Sequence, residues 1–166
     1  IQLDGKQFFY VNPLEVNPGT SGTIFGYKHV LPTRPGWYAC ACCPPNLVRL
    51  VTSLGTYAWS ESETTLYSHL FLGQTADFDK AVITVESSYP WEGKVSYQVK
   101  AKKEKAFELA IHIPSHIRPD TLAVTVNGEK TDDMSFVKDG YLYLKRNWGE
   151  NDVLSLIHIS EPTRRS

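Results

Sequence analysis

The chain has 166 residues, 42% of them hydrophobic, which is enough for one ordinary domain with a real core. Seventeen Lys and Arg residues against eighteen Asp and Glu residues leave a net charge of -1, so the basic surplus typical of nucleic-acid-binding domains is excluded. Because of this balanced charge, we expect no nucleic acid among its partners. The sequence also has no run of about 18 apolar residues, so we expect no membrane among its partners.

The start of the chain, "IQLDGKQFFY", has neither an initiator Met nor the basic and then apolar segments of a signal peptide. We therefore expect the chain to be a piece cut from a longer protein. Prolines and glycines interrupt the first 40 residues so often that the sequence predicts loops with short extended pieces, such as Phe8 to Asn12.

Beyond these loops, apolar residues recur at helical spacing and predict one amphipathic helix from Pro44 to Ala58. The apolar positions are Leu47, Val48, Leu50, Val51, Leu54, Tyr57 and Ala58. Two prolines open the segment, and proline is tolerated in the first turn of a helix, where backbone N–H groups have no partner within the helix.

From Glu63 onward the apolar period falls to two, which predicts short strands separated by turns. The candidate strands are Thr65 to Leu72, Ala81 to Ser87, Lys94 to Ala101, Ala106 to Ile113, Leu122 to Gly128 and Gly140 to Arg146. Asn127-Gly128 is typical of a tight turn, and the charged run from Lys100 to Lys105 predicts a solvated turn. This regular series of short strands favours an antiparallel β-sandwich.

The end of the chain, "LSLIHISEPTRRS" from Leu154, does not follow the strand pattern in our interpretation. From Leu154 through Arg164 it resembles the in-frame translation of a transposon-type adapter used to prepare sequencing libraries. We predict that the native sequence stops at about Val153 and that residues 154–166 are a non-native tail. Ordinary gene sequence at this junction in the nucleotides would contradict that origin.

All three cysteines, Cys40, Cys42 and Cys43, lie directly before the two prolines. Adjacent cysteines bridge each other only with strain, so we expect reduced thiols, which favour a cytoplasmic location. The amide groups and macrodipole at the start of a helix favour a thiolate, which is both a nucleophile and a metal ligand. Small, buried, inert thiols are the alternative.

Soft thiolates select zinc among the common cellular metals, but a closed zinc site needs four ligands. The sequence lacks paired C-x2-C motifs, and none of its five histidines has a ligand-like spacing from the cysteines; His29 is the nearest. If zinc binds, at least one ligand must therefore come from elsewhere in the fold or from outside this chain.

Several segments resemble glycoside hydrolase family 127, whose characterised members include β-L-arabinofuranosidases. These segments are Phe8 to Val16, Trp37 to Trp59, Tyr89 to Val95, Glu108 to Pro114, Val124 to Gly128 and Gly140 to Val153, and they occur in the family's order. The "CCPPN" core, Cys42 to Asn46, is the most specific of them.

The resemblance implies a mainly β fold: an antiparallel β-sandwich preceded by the last loop and helix of an (α/α)6 barrel. Residues 1–59 would be the C-terminal end of a truncated catalytic barrel, and residues 60–153 would be an incomplete β-sandwich domain. Because most of the barrel would lie outside the chain, we expect the chain alone to be inactive.

The resemblance also implies a chemistry: retaining, exo-acting hydrolysis of β-L-arabinofuranosides by a cysteine nucleophile held at a zinc ion. By position, Cys42 would be the nucleophile and a zinc ligand, Cys43 a second ligand, and Tyr10 part of the sugar pocket. A third cysteine, a glutamate ligand and the acid/base glutamate would lie outside the chain, and Cys40 has no assigned role. The partner would be an arabinofuranose-containing oligosaccharide or glycoconjugate.

Two other functions stay open on the residues alone. The chain could be a non-catalytic carbohydrate-binding or structural β-sandwich, or it could be a structural zinc module, although too few ligands are local for the latter. Trp91 and Trp148 are expected to cap the sandwich core, and His112 and His116 to be structural or exposed.

Overall fold

The computed structural model of the protein describes residues 4–6, 17, 19, 42–102, 106–131 and 137–158, and for Pro119 and His158 it describes the backbone alone. Tyr10, Cys40 and residues 103–105 of the charged run therefore lie outside the described residues. The chain forms two compact units, Ile1–Ser53 and Leu54–Ser166.

The described helix, α1, covers Cys43–Ala58 and so begins one residue earlier than the sequence predicts. The backbone carbonyl of Cys42 accepts the first helical hydrogen bond, from the Asn46 N–H at 3.2 Å. Pro44 and Pro45 therefore occupy the second and third positions of the helix, where a missing N–H breaks no helical bond. Within the described residues, no helix is long and apolar enough to cross a membrane.

Among the residues that the structure describes after the helix, there are eleven strands and one short 3-10 turn, Pro119–Thr121. The strands are β1 Trp59–Glu61, β2 Thr65–Ser68, β3 Gln74–Asp77, β4 Ala81–Ser87, β5 Lys94–Ala101, β6 Ala106–His112, β7 Leu122–Val126, β8 Glu129–Lys130, β9 Val137–Lys138, β10 Tyr141–Asn147 and β11 Asp152–His158.

The strands form two sheets, as predicted. The five-stranded sheet has the order β1-β2-β6-β10-β9, and the six-stranded sheet has the order β3-β4-β5-β11-β7-β8. Every pairing is antiparallel except that of β2 with β6, which is parallel. The prediction of a mainly β, antiparallel fold is confirmed, with this one parallel pair as an addition.

An apolar core of described residues joins the two sheets. Leu109 and Ile111 of β6 and Leu142 of β10 come from the five-stranded sheet, and they join one apolar cluster with Ile83 of β4 and Val99 of β5 from the other sheet. Burial alternates along β4 and β5, as expected for strands with one face in a core. The two-layer packing explains why the sequence shows a period of two.

The six predicted strands are all present, but β2 ends at Ser68 rather than at Leu72. The Asn127-Gly128 turn is confirmed: both residues have positive φ, 54° and 82°, as a two-residue hairpin loop requires. A second such turn lies at Asp139 and Gly140, with φ of 51° and 79°, so β10 begins one residue later than predicted.

The last strand, β11, corrects the interpretation that the strand pattern stops at Leu154. Leu154 and Leu156 are 0% and 2% exposed, and β11 pairs with β5 on one side and β7 on the other. A segment with alternating apolar side chains can form a strand where a neighbouring strand has unpaired backbone groups. This segment has that alternation, whatever its origin. Its origin in adapter DNA stays a prediction.

The two tryptophans differ from each other. Trp148 is buried, at 2% exposed, as predicted, and its indole Nε1 donates a hydrogen bond to the Phe107 carbonyl at 3.1 Å. The prediction that Trp91 caps the core is wrong, because it lies in the turn after β4 and is 90% exposed. His112 is half-buried and His116 exposed, as expected.

Candidate active site

Two thiols stand at the start of α1. Cys42 is exposed and Cys43 is half-buried, and their Sγ atoms lie 3.8 Å apart. A disulfide would need about 2.05 Å, so the two sulfurs are not bonded to each other. The sequence therefore places two sulfurs side by side at a helix terminus, as predicted from "CCPP".

The first turn of α1 is held by a side chain that the sequence interpretation missed. Asn46 donates from Nδ2 to the Cys42 carbonyl at 2.8 Å, in addition to its backbone N–H bond to the same oxygen. These two bonds fix the backbone at Cys42. The signal in the sequence is an amide side chain four residues after Cys42, one helical turn away.

The prolines change the expected electrostatics of this helix start. A residue in the position of Cys42 ordinarily caps the helix by accepting from the N–H of the second or third helical residue. Those residues are Pro44 and Pro45, which have no N–H. The expectation that several amides face the sulfurs is therefore corrected: the macrodipole remains, but two of the usual cap donors are absent.

The sulfur pair fits two positions of a tetrahedral zinc shell. Two ligands at about 2.3 Å from a tetrahedral ion lie about 3.8 Å from each other. Cys42 Sγ and Cys43 Sγ have this separation, 3.8 Å, without any rearrangement. Among the described residues, no group of three or more His, Cys, Asp or Glu side chains could hold a metal ion. Zinc would thus need ligands beyond this pair.

The structure brings together only part of the predicted site. Cys42 and Cys43 lie side by side, whereas Tyr10 and Cys40 lie outside the described residues, so the sugar-pocket role of Tyr10 stays a prediction. Cys42 is exposed, so its sulfur is accessible to a reactant or a metal ion. The Cys43 sulfur lies 3.8 Å from it, close enough for both sulfurs to bind one ion.

Comparison with known proteins places these features in a family. The chain matches a model of the beta-L-arabinofuranosidase GH127 catalytic domain over residues 1–56 and a model of the GH127 middle domain over residues 65–158. The sulfur pair thus lies in the part that matches the catalytic domain, and the β-sandwich in the part that matches the middle domain.

Individual relatives agree with the family models. A non-reducing end beta-L-arabinofuranosidase from Bifidobacterium longum subsp. longum is 36% identical over 163 residues, covering 94% of this chain and 24% of that protein. The crystal structure of a GH127 beta-L-arabinofuranosidase from Geobacillus stearothermophilus T6 is 40% identical, with a TM-score of 0.81 over 96% of this chain and 25% of that one.

A further solved structure, a GH127 beta-arabinofuranosidase, is 29% identical, with a TM-score of 0.76 over 96% of this chain and 26% of that one. The chain therefore spans about a quarter of the length of these relatives. With the middle-domain model matching more than half of its residues, the chain belongs to glycoside hydrolase family 127.

Proposed function

We propose that this chain supplies the nucleophile and two zinc-ligating sulfurs of a retaining exo-glycosidase that hydrolyses β-L-arabinofuranosides. The observation that carries the proposal is the pair of Sγ atoms of Cys42 and Cys43, 3.8 Å apart at the start of α1. The relatives named beta-L-arabinofuranosidase support the substrate class.

In the first step, the Cys42 thiolate attacks the anomeric carbon of the sugar. A C–S bond forms as the glycosidic C–O bond breaks, and the departing oxygen takes a proton from the acid/base carboxyl, which the resemblance places outside this chain. Water then attacks the same carbon, the C–S bond breaks, and the proton of the water returns to the carboxylate. Two inversions give overall retention.

The residues that would hold zinc are Cys42 and Cys43, together with a cysteine and a glutamate outside the chain. Bound zinc would keep the ligating sulfurs deprotonated at neutral pH and would make the Cys42 sulfur a better leaving group in the second step. Asn46 contributes by fixing the backbone that carries Cys42. A thiolate thereby takes the place of one of the two carboxylates used by most glycosidases.

The metal-binding part of the proposal is tested on the 166-residue chain by titration with Co²⁺. Thiolate ligation produces a charge-transfer band in the near ultraviolet, so the readout does not require activity. We expect Cys42→Ser and Cys43→Ser each to weaken Co²⁺ binding by about tenfold or more. Cys40→Ser is the matched control and should change the Kd for Co²⁺ less than about twofold. Equal losses for all three variants would contradict the assignment.

The catalytic part is tested by replacing the matching quarter of the Bifidobacterium longum relative with this chain and measuring arabinose release from a β-L-arabinofuranoside. We expect Cys42→Ser to lower kcat by at least about 1000-fold, because the nucleophile is lost. Thr52→Ala, an exposed change on the same helix, should leave kcat unchanged. Undiminished turnover with Cys42→Ser would exclude Cys42 as the nucleophile. This result would stand whatever the Co²⁺ titration of the 166-residue chain shows.

A further inference from the structure

The β-sandwich unit contains a cleft of about 290 Å³ that the proposed catalytic chemistry does not use. Its lining combines aliphatic, aromatic and imidazole side chains: His69, Leu70, Phe71, Leu72, Tyr89, His112 and Pro114. This volume is near the lower end of the range for small-molecule sites, about 300 to 1000 Å³, and suits a ligand of one ring.

The aromatic part of the cleft is held in place before any ligand binds. The rings of Phe71 and Tyr89 meet edge to face, with centroids 5.2 Å apart. The Tyr89 hydroxyl is hydrogen-bonded to His116 Nε2, and the two rings stack with centroids 6.2 Å apart. Fixed rings lower the entropic cost of binding, because they need not be ordered when a ligand arrives.

The two imidazoles of the lining differ in whether their ring nitrogens already have hydrogen-bond partners. Both ring nitrogens of His69 are engaged, Nε2 with the Ser60 hydroxyl at 2.8 Å and Nδ1 with the Tyr141 hydroxyl at 2.7 Å. His112 makes a ring contact with Tyr141, with centroids 5.3 Å apart, and no described residue is hydrogen-bonded to its nitrogens. His112 can therefore give a hydrogen bond to a ligand and accept one from it.

The lining contains no Asp, Glu, Lys or Arg side chain. Burial and then the coulombic effect of His112 lower the pKa of His69. A formally charged ligand would find no carboxylate, ammonium or guanidinium group here, whereas an uncharged ligand with an apolar face and several hydroxyls matches both the rings and His112.

We propose that this cleft binds one neutral sugar ring, with the C–H face of the sugar on Phe71 and a hydroxyl on His112. The site would hold a glycan without cleaving it and does not depend on Cys42. Trp91, two residues beyond Tyr89 in the sequence and outside the lining, is 90% exposed. Amphipathic aromatic rings are the usual partners of sugar faces.

The proposal is tested on the full 166-residue chain by ¹H–¹⁵N NMR during titration with methyl β-L-arabinofuranoside and, separately, methyl β-D-glucopyranoside. We expect at least one of them to shift the amide signals of the cleft residues, with a Kd on the order of 1 mM for a single ring. The same titration of Cys42→Ser should give the same Kd, which separates this site from the proposed catalytic one.

Three variants define the site. Phe71→Leu keeps an apolar side chain but removes the aromatic face, and His112→Leu removes the hydrogen-bonding group; each should weaken binding about fivefold. His112→Asn restores a donor and an acceptor and should recover most of the loss. Tyr143→Leu is the matched control, a half-buried aromatic on β10 outside the lining, and should not change the Kd.

Each of three results would overturn the proposal. The first is that neither sugar shifts the cleft signals. The second is that Tyr143→Leu weakens binding as much as His112→Leu. The third is that the cleft signals depend on protein concentration and not on sugar, which would identify a second copy of the chain as the occupant.

Discussion

Trp91 and Trp148 both follow a strand, yet one is 90% exposed and the other 2%. Trp148 is buried because its indole N–H reaches the Phe107 carbonyl on the neighbouring strand and its ring stacks on Phe107, with centroids 5.8 Å apart. Trp91 lies in a turn, where its backbone N–H bonds to the Ser88 carbonyl at 2.9 Å. The residue type is the same, and only the surroundings of the strand end decide burial.

This contrast gives a matched pair of variants. Trp148→Phe removes the donor to Phe107 and part of a buried ring, and we expect it to lower the free energy of unfolding by about 1 to 3 kcal/mol. Trp91→Phe should change it by less than about 0.5 kcal/mol, because the side chain is exposed. Urea unfolding measures both. Equal effects would mean that Trp148 is not buried in solution.

The cysteines show the same dependence on local context. Adjacent thiols before two prolines were sufficient to predict a helix start, and α1 begins at Cys43. The prolines at the second and third positions of the helix have no N–H, so two of the usual cap donors are absent near the sulfurs. Asn46 fixes the backbone at Cys42 instead.

Among the strands, β11 holds a central place, between β5 and β7 in the six-stranded sheet. The strands that the sequence did not predict are β1, β3, β8, β9 and β11. The first four have two to four residues each, too few for an alternating pattern to be recognised. β11 was missed for another reason: its likeness to adapter sequence led us to set aside an alternation of apolar residues that the sheet uses.

The importance of β11 can be measured with two substitutions on opposite faces of the strand. Leu156 is 2% exposed, and we expect Leu156→Ala to lower the free energy of unfolding by about 2 to 5 kcal/mol through the cavity that it leaves. Ile157 is 40% exposed, so Ile157→Ala should cost clearly less. Thermal or urea unfolding gives the comparison. Similar, small losses for both variants would show that β11 does not pack in the core.

A buried polar contact joins the two sheets in addition to the apolar packing. The hydroxyl of Tyr97, on β5 of the six-stranded sheet, lies 3.0 Å from Ser68 Oγ, on β2 of the five-stranded sheet. Both residues are at most 1% exposed. Burial raises the pKa of the Tyr97 phenol, and the hydrogen bond with Ser68 opposes that shift only partly.

The raised pKa predicts how the stability of the sandwich depends on pH. An unfolded chain loses the tyrosine proton near pH 10, whereas the folded chain retains it, so this contribution is complete below about pH 10 and is lost as the pH rises further. We expect a loss of about 1.4 kcal/mol per pH unit from this group. Urea unfolding between pH 8 and 11 measures it.

Two variants test whether Tyr97 causes this loss of stability at alkaline pH. Tyr97→Phe should flatten the alkaline decline by about this amount, and it should also lower stability at pH 8 by about 1 kcal/mol, because Ser68 loses its partner. Ser68→Ala keeps the phenol and should therefore keep the decline. An unchanged slope in Tyr97→Phe would assign the alkaline loss to other groups.

Much of the architecture was predictable from local pattern. A period of 3.6 after Pro45 and a period of two after Glu63 gave α1 and six strands, and the "CCPPN" segment identified the family that the comparisons confirm. The cleft between Phe71, Tyr89 and His112 was not predictable, because these residues are 18 to 41 positions apart in sequence and meet only through the packing of strand ends.

The sequence by itself determined where α1 and six of the eleven described strands lie and which two sulfurs are neighbours, because hydrophobic period, proline and adjacency act over a few residues. Only the tertiary structure decided that Trp91 is exposed, that β2 pairs in parallel with β6, and that β11 pairs with β5 on one side and β7 on the other. Those outcomes depend on which distant strand supplies the opposite surface, and no local pattern carries that information.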